Sequence, residues 1–301
     1  MADDRPAPMT HHPTPTPKEK DTMLRSLSPI KAAAIYYGLS FAMVVAAALA
    51  GASTAVAATA PLLATLLMLL VITREGRHRS GWAGLGLHRL GIRTWPLALL
   101  APIAIFIVGG IVSVGAGAAH WEPTGQVGGF SAWVWPGIFA VNVLTISLTI
   151  VLTEEIGWRG YFLPRLAVLG ERRALLLSGL LHGVWHLPVV LLTSLYLAEG
   201  SRWLVIPAFL ISATAFGVFV GWFRLRTGSV WPAVLAHASH NVAVMWFHDA
   251  LKGDGAAMEY LAGESGVVTI VAYATLAAVL LRRAPRATTA NSAPPMKVGA
   301  R

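Results

Sequence analysis

Residues 32–73 read AAAIYYGLSFAMVVAAALAGASTAVAATAPLLATLLMLLVIT, 42 consecutive positions without one Asp, Glu, Lys or Arg. A helix that crosses a bilayer takes about 20 residues. The stretch therefore holds two crossings, with the turn between them at Gly51-Ala52-Ser53. The same reading carried outward gives further crossings at residues 95–119, 132–153, 174–196, 203–223, 229–247 and 261–281. The expected fold is an all-α polytopic membrane protein of about eight transmembrane helices.

Composition agrees. Of the 301 residues, 55% are hydrophobic and 12% charged, against about 25% charged in soluble domains. Mean hydropathy is +0.63. These values exclude a soluble globular enzyme, a nucleic-acid-binding domain and a disordered chain as readings of the whole. With no cysteine, disulfides, thiolate metal sites, thiol nucleophiles and lipidated cysteines are excluded as well. Residues 1–31, rich in Pro, Thr and charge and without the apolar core of a signal peptide, read as a disordered tail, as do residues 284–301. The membrane domain between them is residues 32–283.

The net charge of +9 and pI of 10.4 are explained by topology. With eight crossings, 21 of the 23 Lys and Arg residues fall on one side, and only Arg202 and Lys252 on the other. Basic residues mark cytoplasmic loops, so both termini are expected in the cytoplasm, with the chain most simply placed in the plasma membrane and no nucleic acid among its partners.

Charged or imidazole groups in membrane spans are costly and are retained for function or for pairing. Here they cluster. Thr153-Glu154-Glu155-Ile156-Gly157-Trp158-Arg159-Gly160 ends the fourth crossing, His182-Gly183-Val184-Trp185-His186 lies in the fifth, and His237-Ala238-Ser239-His240-Asn241 in the seventh. His182/His186, His237/Asn241 and Glu155/Arg159 are i,i+4 pairs, each on one helix face. Counted from the expected helix starts at about 1.5 Å per residue, His186 and His237 lie at similar depth. A carboxylate, an imidazole and an imidazole–carboxamide pair thus face one intramembrane cavity open to the cytoplasm.

This set has the parts for hydrolysis. A carboxylate with an imidazole (Glu154, His186) holds and deprotonates a water. An imidazole with a carboxamide (His237, Asn241) donates to a developing oxyanion. Adjacent Glu154 and Glu155 resist ionising together, and Arg159 compensates one of them. Taken singly, His182, His240 and His248 read as helix–helix hydrogen-bonding residues, and Glu155 with Arg159 reads equally as a structural pair.

In order and spacing, Glu154-Glu155-x-x-x-Arg159, His186 and His237-x-x-x-Asn241 resemble the three-motif signature of the CPBP intramembrane proteases. That family includes the type II CAAX prenyl endopeptidases and the bacteriocin-processing and Abi-type proteins. The resemblance places a protease core at residues 132–248. It implies an endopeptidase acting on a membrane-associated protein or peptide in the lipid bilayer. It also implies roles: Glu154 and His186 activate the water, His237 and Asn241 stabilise the oxyanion, and Glu155 and Arg159 support the site. One position departs from the signature, because His182 stands where Phe is usual. The family is labelled metalloprotease; Glu154, His186 and His237 can ligate a divalent metal such as zinc, and the same groups can activate water directly. Two other readings are a non-catalytic scaffold or bacteriocin-immunity factor of the same fold, and a haem-binding protein using paired histidines.

Overall fold

The computed structural model describes residues 27–123, 129–193 and 200–283. Most of the two expected tails lies outside these residues. Within the first tail, helix α1 already begins at Pro29 and runs to Leu49, with the Ser28 hydroxyl accepting from the Lys31 amide. Proline at the first helical position loses no hydrogen bond, and a serine cap satisfies one of the free amides. The expected turn follows at Gly51, whose φ of +65° suits a residue without Cβ.

Helix α2 is Thr54–Ile72. A short helix α3, Arg79–Ala83, sits in the basic connection to α4, Trp95–Gly115. Helix α5 is a long rod, Ala132–Leu169. Then come α6 (Glu171–Leu192), α7 (Arg202–Thr227), α8 (Trp231–Ala250), α9 (Gly255–Ala262) and α10 (Val267–Arg283). Strands β1 (Ala119–Trp121) and β2 (Leu251–Gly253) pair antiparallel, Ala119 opposite Gly253, and tie the far ends of α4 and α8 together.

Among the described residues seven helical segments are long and apolar enough to cross a membrane: α1, α2, Ile92–Gly115, α5, α6, α7 and Gly255–Arg283. The remaining expected crossing is α8, also a 20-residue helix but diluted by His237, His240, Asn241 and His248. It is the most enclosed of the set, running beside α4, α5 and α7.

Helix α5 differs most from expectation. The crossing expected to end near residue 153 continues unbroken through the Glu-Glu motif to Leu169. At about 1.5 Å per residue, its 38 residues outrun a hydrocarbon layer of about 30 Å. Two stretches of it, Ser147–Val151 and Ile156–Phe162, are π-helical, and the single α-turn Leu152–Glu155 lies between them. The wider π turns re-aim the side chains that follow, a feature frequent at functional sites.

The connection between α2 and α4 docks on the bundle. Leu85 is buried, Arg224 donates to the Gly84 carbonyl, Trp231 to that of Leu87 and Ser229 to that of Arg89.

Candidate active site

Three helices supply the site, and each is anchored to another helix by a side chain within two residues of a site residue. Helix α5 is fixed to α2 by the Thr153 hydroxyl on the Ala58 carbonyl (2.9 Å), α6 to α1 by the Trp185 indole on the Ser40 carbonyl (3.1 Å), and α8 to α4 by the Ser239 hydroxyl on the Leu99 carbonyl (2.7 Å). Between the two carboxylates and Arg159 comes Gly157. A Cβ there would run into the Tyr36 hydroxyl and the Pro61 ring, so glycine is what lets α5 lie directly against α1 and α2.

On this frame the polar side chains form one connected set. Arg159 Nη1 donates to Glu155 Oε1 (2.9 Å) and to His182 Nδ1 (3.2 Å). The same Glu155 oxygen receives His237 Nδ1 at 2.8 Å. His182 Nε2 lies 3.3 Å from Glu154 Oε2, and His186 Nδ1 lies 2.9 Å from the His182 carbonyl. Glu155 and Arg159 are wholly enclosed, Glu154 and His237 nearly so. His186 and Asn241 are half-buried, and they form the open side of the cluster. Asn241 follows His237 by one turn on the same face and makes no side-chain hydrogen bond among the described residues.

The partners assign the imidazole protons. A guanidinium only donates, so His182 Nδ1 accepts and its proton sits on Nε2, directed at Glu154. A carbonyl only accepts, so His186 donates from Nδ1 and keeps its lone pair on Nε2. Glu155, a carboxylate beside a guanidinium, likewise holds a proton on His237 Nδ1. In charge, Glu154, Glu155 and Arg159 sum to one negative charge, which a proton on an imidazole offsets.

The donor atoms of Glu154, His182 and His186 lie within 4.8 Å of one another, a Glu/His/His group of the kind that holds a metal ion. His237, grouped with Glu154 and His186 from the sequence, turns to Glu155 instead and is not in this group. His182 enters it through Nε2, 3.3 Å from Glu154 Oε2, and its ring centroid lies 6.0 Å from that of His237. Helices α6 and α8 begin at Glu171 and Trp231, three residues earlier and two later than expected. As a metal site the group is incomplete. The one lone pair of neutral His182 is taken by Arg159, and its other nitrogen carries a proton. Within this group Glu154 and His186 alone present free donor atoms, fewer than the three protein ligands of catalytic zinc.

Other polar residues in the interior belong elsewhere. His240 stacks on Phe216 and meets the Tyr273 hydroxyl (2.9 Å) and Glu264 (3.4 Å), apart from the Glu154 cluster. An apolar groove of about 1240 Å³ between α4, α5 and α8, lined by Phe106, Phe139 and Trp246 among others, contains none of the polar site residues. Two contributors escaped the sequence reading. Arg224, counted there only as a topological marker, donates from Nε to the Arg159 carbonyl (2.9 Å). Trp158, whose ring lies 4.6 Å from that of His182, had no polar signal to distinguish it.

A helical membrane bundle that joins two carboxylates, a guanidinium and three imidazoles in one hydrogen-bonded set defines a class of polytopic proteins with polar chemistry inside the membrane. Residues 135–243 match the family model described as type II CAAX prenyl endopeptidase Rce1-like. That segment runs from the first turn of α5 to beyond Asn241 and carries all three motifs. The match agrees with the CPBP resemblance and, at the level of class, with an intramembrane protease. No curated protein matches the chain.

Proposed function

We propose that the protein is an intramembrane endopeptidase that hydrolyses a peptide bond of a membrane-associated substrate, reached from the side of the membrane that carries its basic loops, the cytoplasmic side. The observation that carries this reading is the meeting of Glu154 and His186, from separate helices, with donor atoms no more than 4.8 Å apart. One water, making hydrogen bonds of about 2.8 Å, spans that distance. His186 offers it the Nε2 lone pair, and Glu154 the carboxylate oxygen not engaged by His182. The water oxygen attacks the scissile carbonyl carbon, and its proton passes to the Glu154/His186 pair. The carbonyl oxygen gains the negative charge. His237, as an imidazolium balanced by Glu155, donates to it from Nε2, and the Asn241 amide donates beside it. As the tetrahedral intermediate collapses, the C–N bond breaks and the proton held by Glu154/His186 goes to the leaving amine.

Because the Glu/His/His group lacks a third free donor, we assign water activation to the side chains themselves. Arg159 and Glu155 keep the two halves in register. The substrate is a peptide bound to or embedded in the bilayer; a prenylated C-terminus is one such substrate. The test is cleavage of a quenched fluorogenic peptide library by the purified protein in detergent, against Glu154→Gln and His186→Ala. Wild-type cleavage with loss in both variants is expected. Equal rates in all three overturn the proposal.

A further inference from the structure

His182 is the one member of the polar set that stands where the signature has Phe, and it is not a passive substitute for that ring. We infer that His182 is a positioning residue that transmits the fixed geometry of the Arg159–Glu155 pair to the water-activating carboxylate of Glu154. The inference rests on the endopeptidase reading above.

Three observations carry it. First, both ring nitrogens are engaged and in opposite senses: Nδ1 faces Arg159 Nη1 at 3.2 Å and Nε2 faces Glu154 Oε2 at 3.3 Å. Since Arg159 only donates, the ring is fixed as the tautomer that donates to Glu154. Second, the ring has little freedom. It is buried, lies 4.6 Å from the Trp158 ring, and stands one turn before His186 on α6. Third, the hydrogen bond to Glu154 restrains one carboxylate oxygen. The rotation of the group is thereby fixed, and the second oxygen is left for water. The carbonyl of the same residue accepts from His186 Nδ1 at 2.9 Å. His182 therefore orients both partners of the proposed water, Glu154 through its ring and His186 through its backbone.

A residue that merely fills the space of a phenylalanine would behave differently, and the two roles predict opposite orders among three variants. His182→Phe keeps the aromatic shape against Trp158 and removes both ring hydrogen bonds. His182→Gln loses the ring and keeps a terminal N–H that reaches Glu154. His182→Asn keeps an acceptor for Arg159 and falls short of Glu154. The experiment measures kcat and KM on a peptide that the wild type cleaves, with thermal unfolding in detergent as a control for folding. Positioning predicts that His182→Phe and His182→Asn lower kcat at least tenfold with KM nearly unchanged, and that His182→Gln recovers most of kcat despite poorer packing. An order in which Phe equals or exceeds wild type and Gln is worst overturns the inference, as does equality of all three with wild type. If Glu154→Gln and His186→Ala also cleave like wild type, the endopeptidase reading has failed; if they are inactive, the failure belongs to His182 alone.

Discussion

Glu155 Oε1 and His237 Nδ1 meet at 2.8 Å across an interval of 82 residues, and the same oxygen accepts from Arg159 at 2.9 Å. One carboxylate oxygen thus joins α5 to α8 and holds the Nδ1–H of His237. The second oxygen of Glu155, with Nε and Nη2 of Arg159, has no hydrogen-bond partner among the described residues. The set is therefore intolerant of losing a member.

Replacing Glu155 by Ala leaves the Arg159 charge enclosed with no carboxylate hydrogen-bonded to it. Removing one partner of a buried pair costs about 3–5 kcal/mol. Thermal unfolding in detergent should show a clear drop, and cleavage should fall with it. A Tm equal to wild type contradicts the pairing.

Arg159→Lys tests the fork geometry. An ammonium keeps the charge but does not reproduce the planar donor that serves Glu155 and His182 from one nitrogen. Losing one hydrogen bond to a charged group costs about 1.5–3 kcal/mol, and 10- to 100-fold in rate corresponds to about that range. The variant is expected to fold and to lose activity by such a factor in kcat.

Gly157→Ala adds a methyl group against the Tyr36 hydroxyl and Pro61. Overpacking of this kind costs about 1–3 kcal/mol. The loss should appear as a lower Tm, and a Tyr36→Phe background should relieve part of it. An unchanged Tm would mean that α5 does not lie as close to α1 and α2 as described.

Activity should survive prolonged dialysis against a strong chelator, because His182 offers no free lone pair to complete the Glu/His/His group. Activity lost to the chelator and restored by zinc contradicts that assignment, since metal-dependent catalysis needs the ligand set that the tautomer denies.

The fold was legible where apolar runs are long, as in residues 32–73, and the site where polar residues break such runs, as with Glu154, Glu155, Arg159 and His237. Less legible was whatever depends on register. Neither side-chain pattern nor composition reports a switch from α to π spacing, so the continuation of α5 to Leu169 was missed. Helix ends misplaced by two or three residues moved the depth estimate by most of a turn, and nothing in the sequence showed that the His182 ring turns to Glu154. Arg224 was hidden by its sequence context: a basic residue at a helix C-terminus beside a loop looks like a topology marker, and only the fold shows it donating to the Arg159 carbonyl.

His237→Ala and Asn241→Ala test the proposed oxyanion donors. Removing one such donor costs about 100- to 1000-fold in kcat. The two effects should appear in kcat more than in KM, since the donors act on charge that develops during the reaction. Loss confined to KM would make them substrate-binding groups.

The most direct measurement is product analysis by mass spectrometry after reaction in ¹⁸O-labelled water, using purified wild type and Glu154→Gln on the same peptide. The account predicts two fragments from the wild type, a free amine on one and ¹⁸O in the new carboxylate of the other, with neither formed by Glu154→Gln. Intact peptide with the wild type, or the same labelled fragments at the same rate from Glu154→Gln, would contradict it.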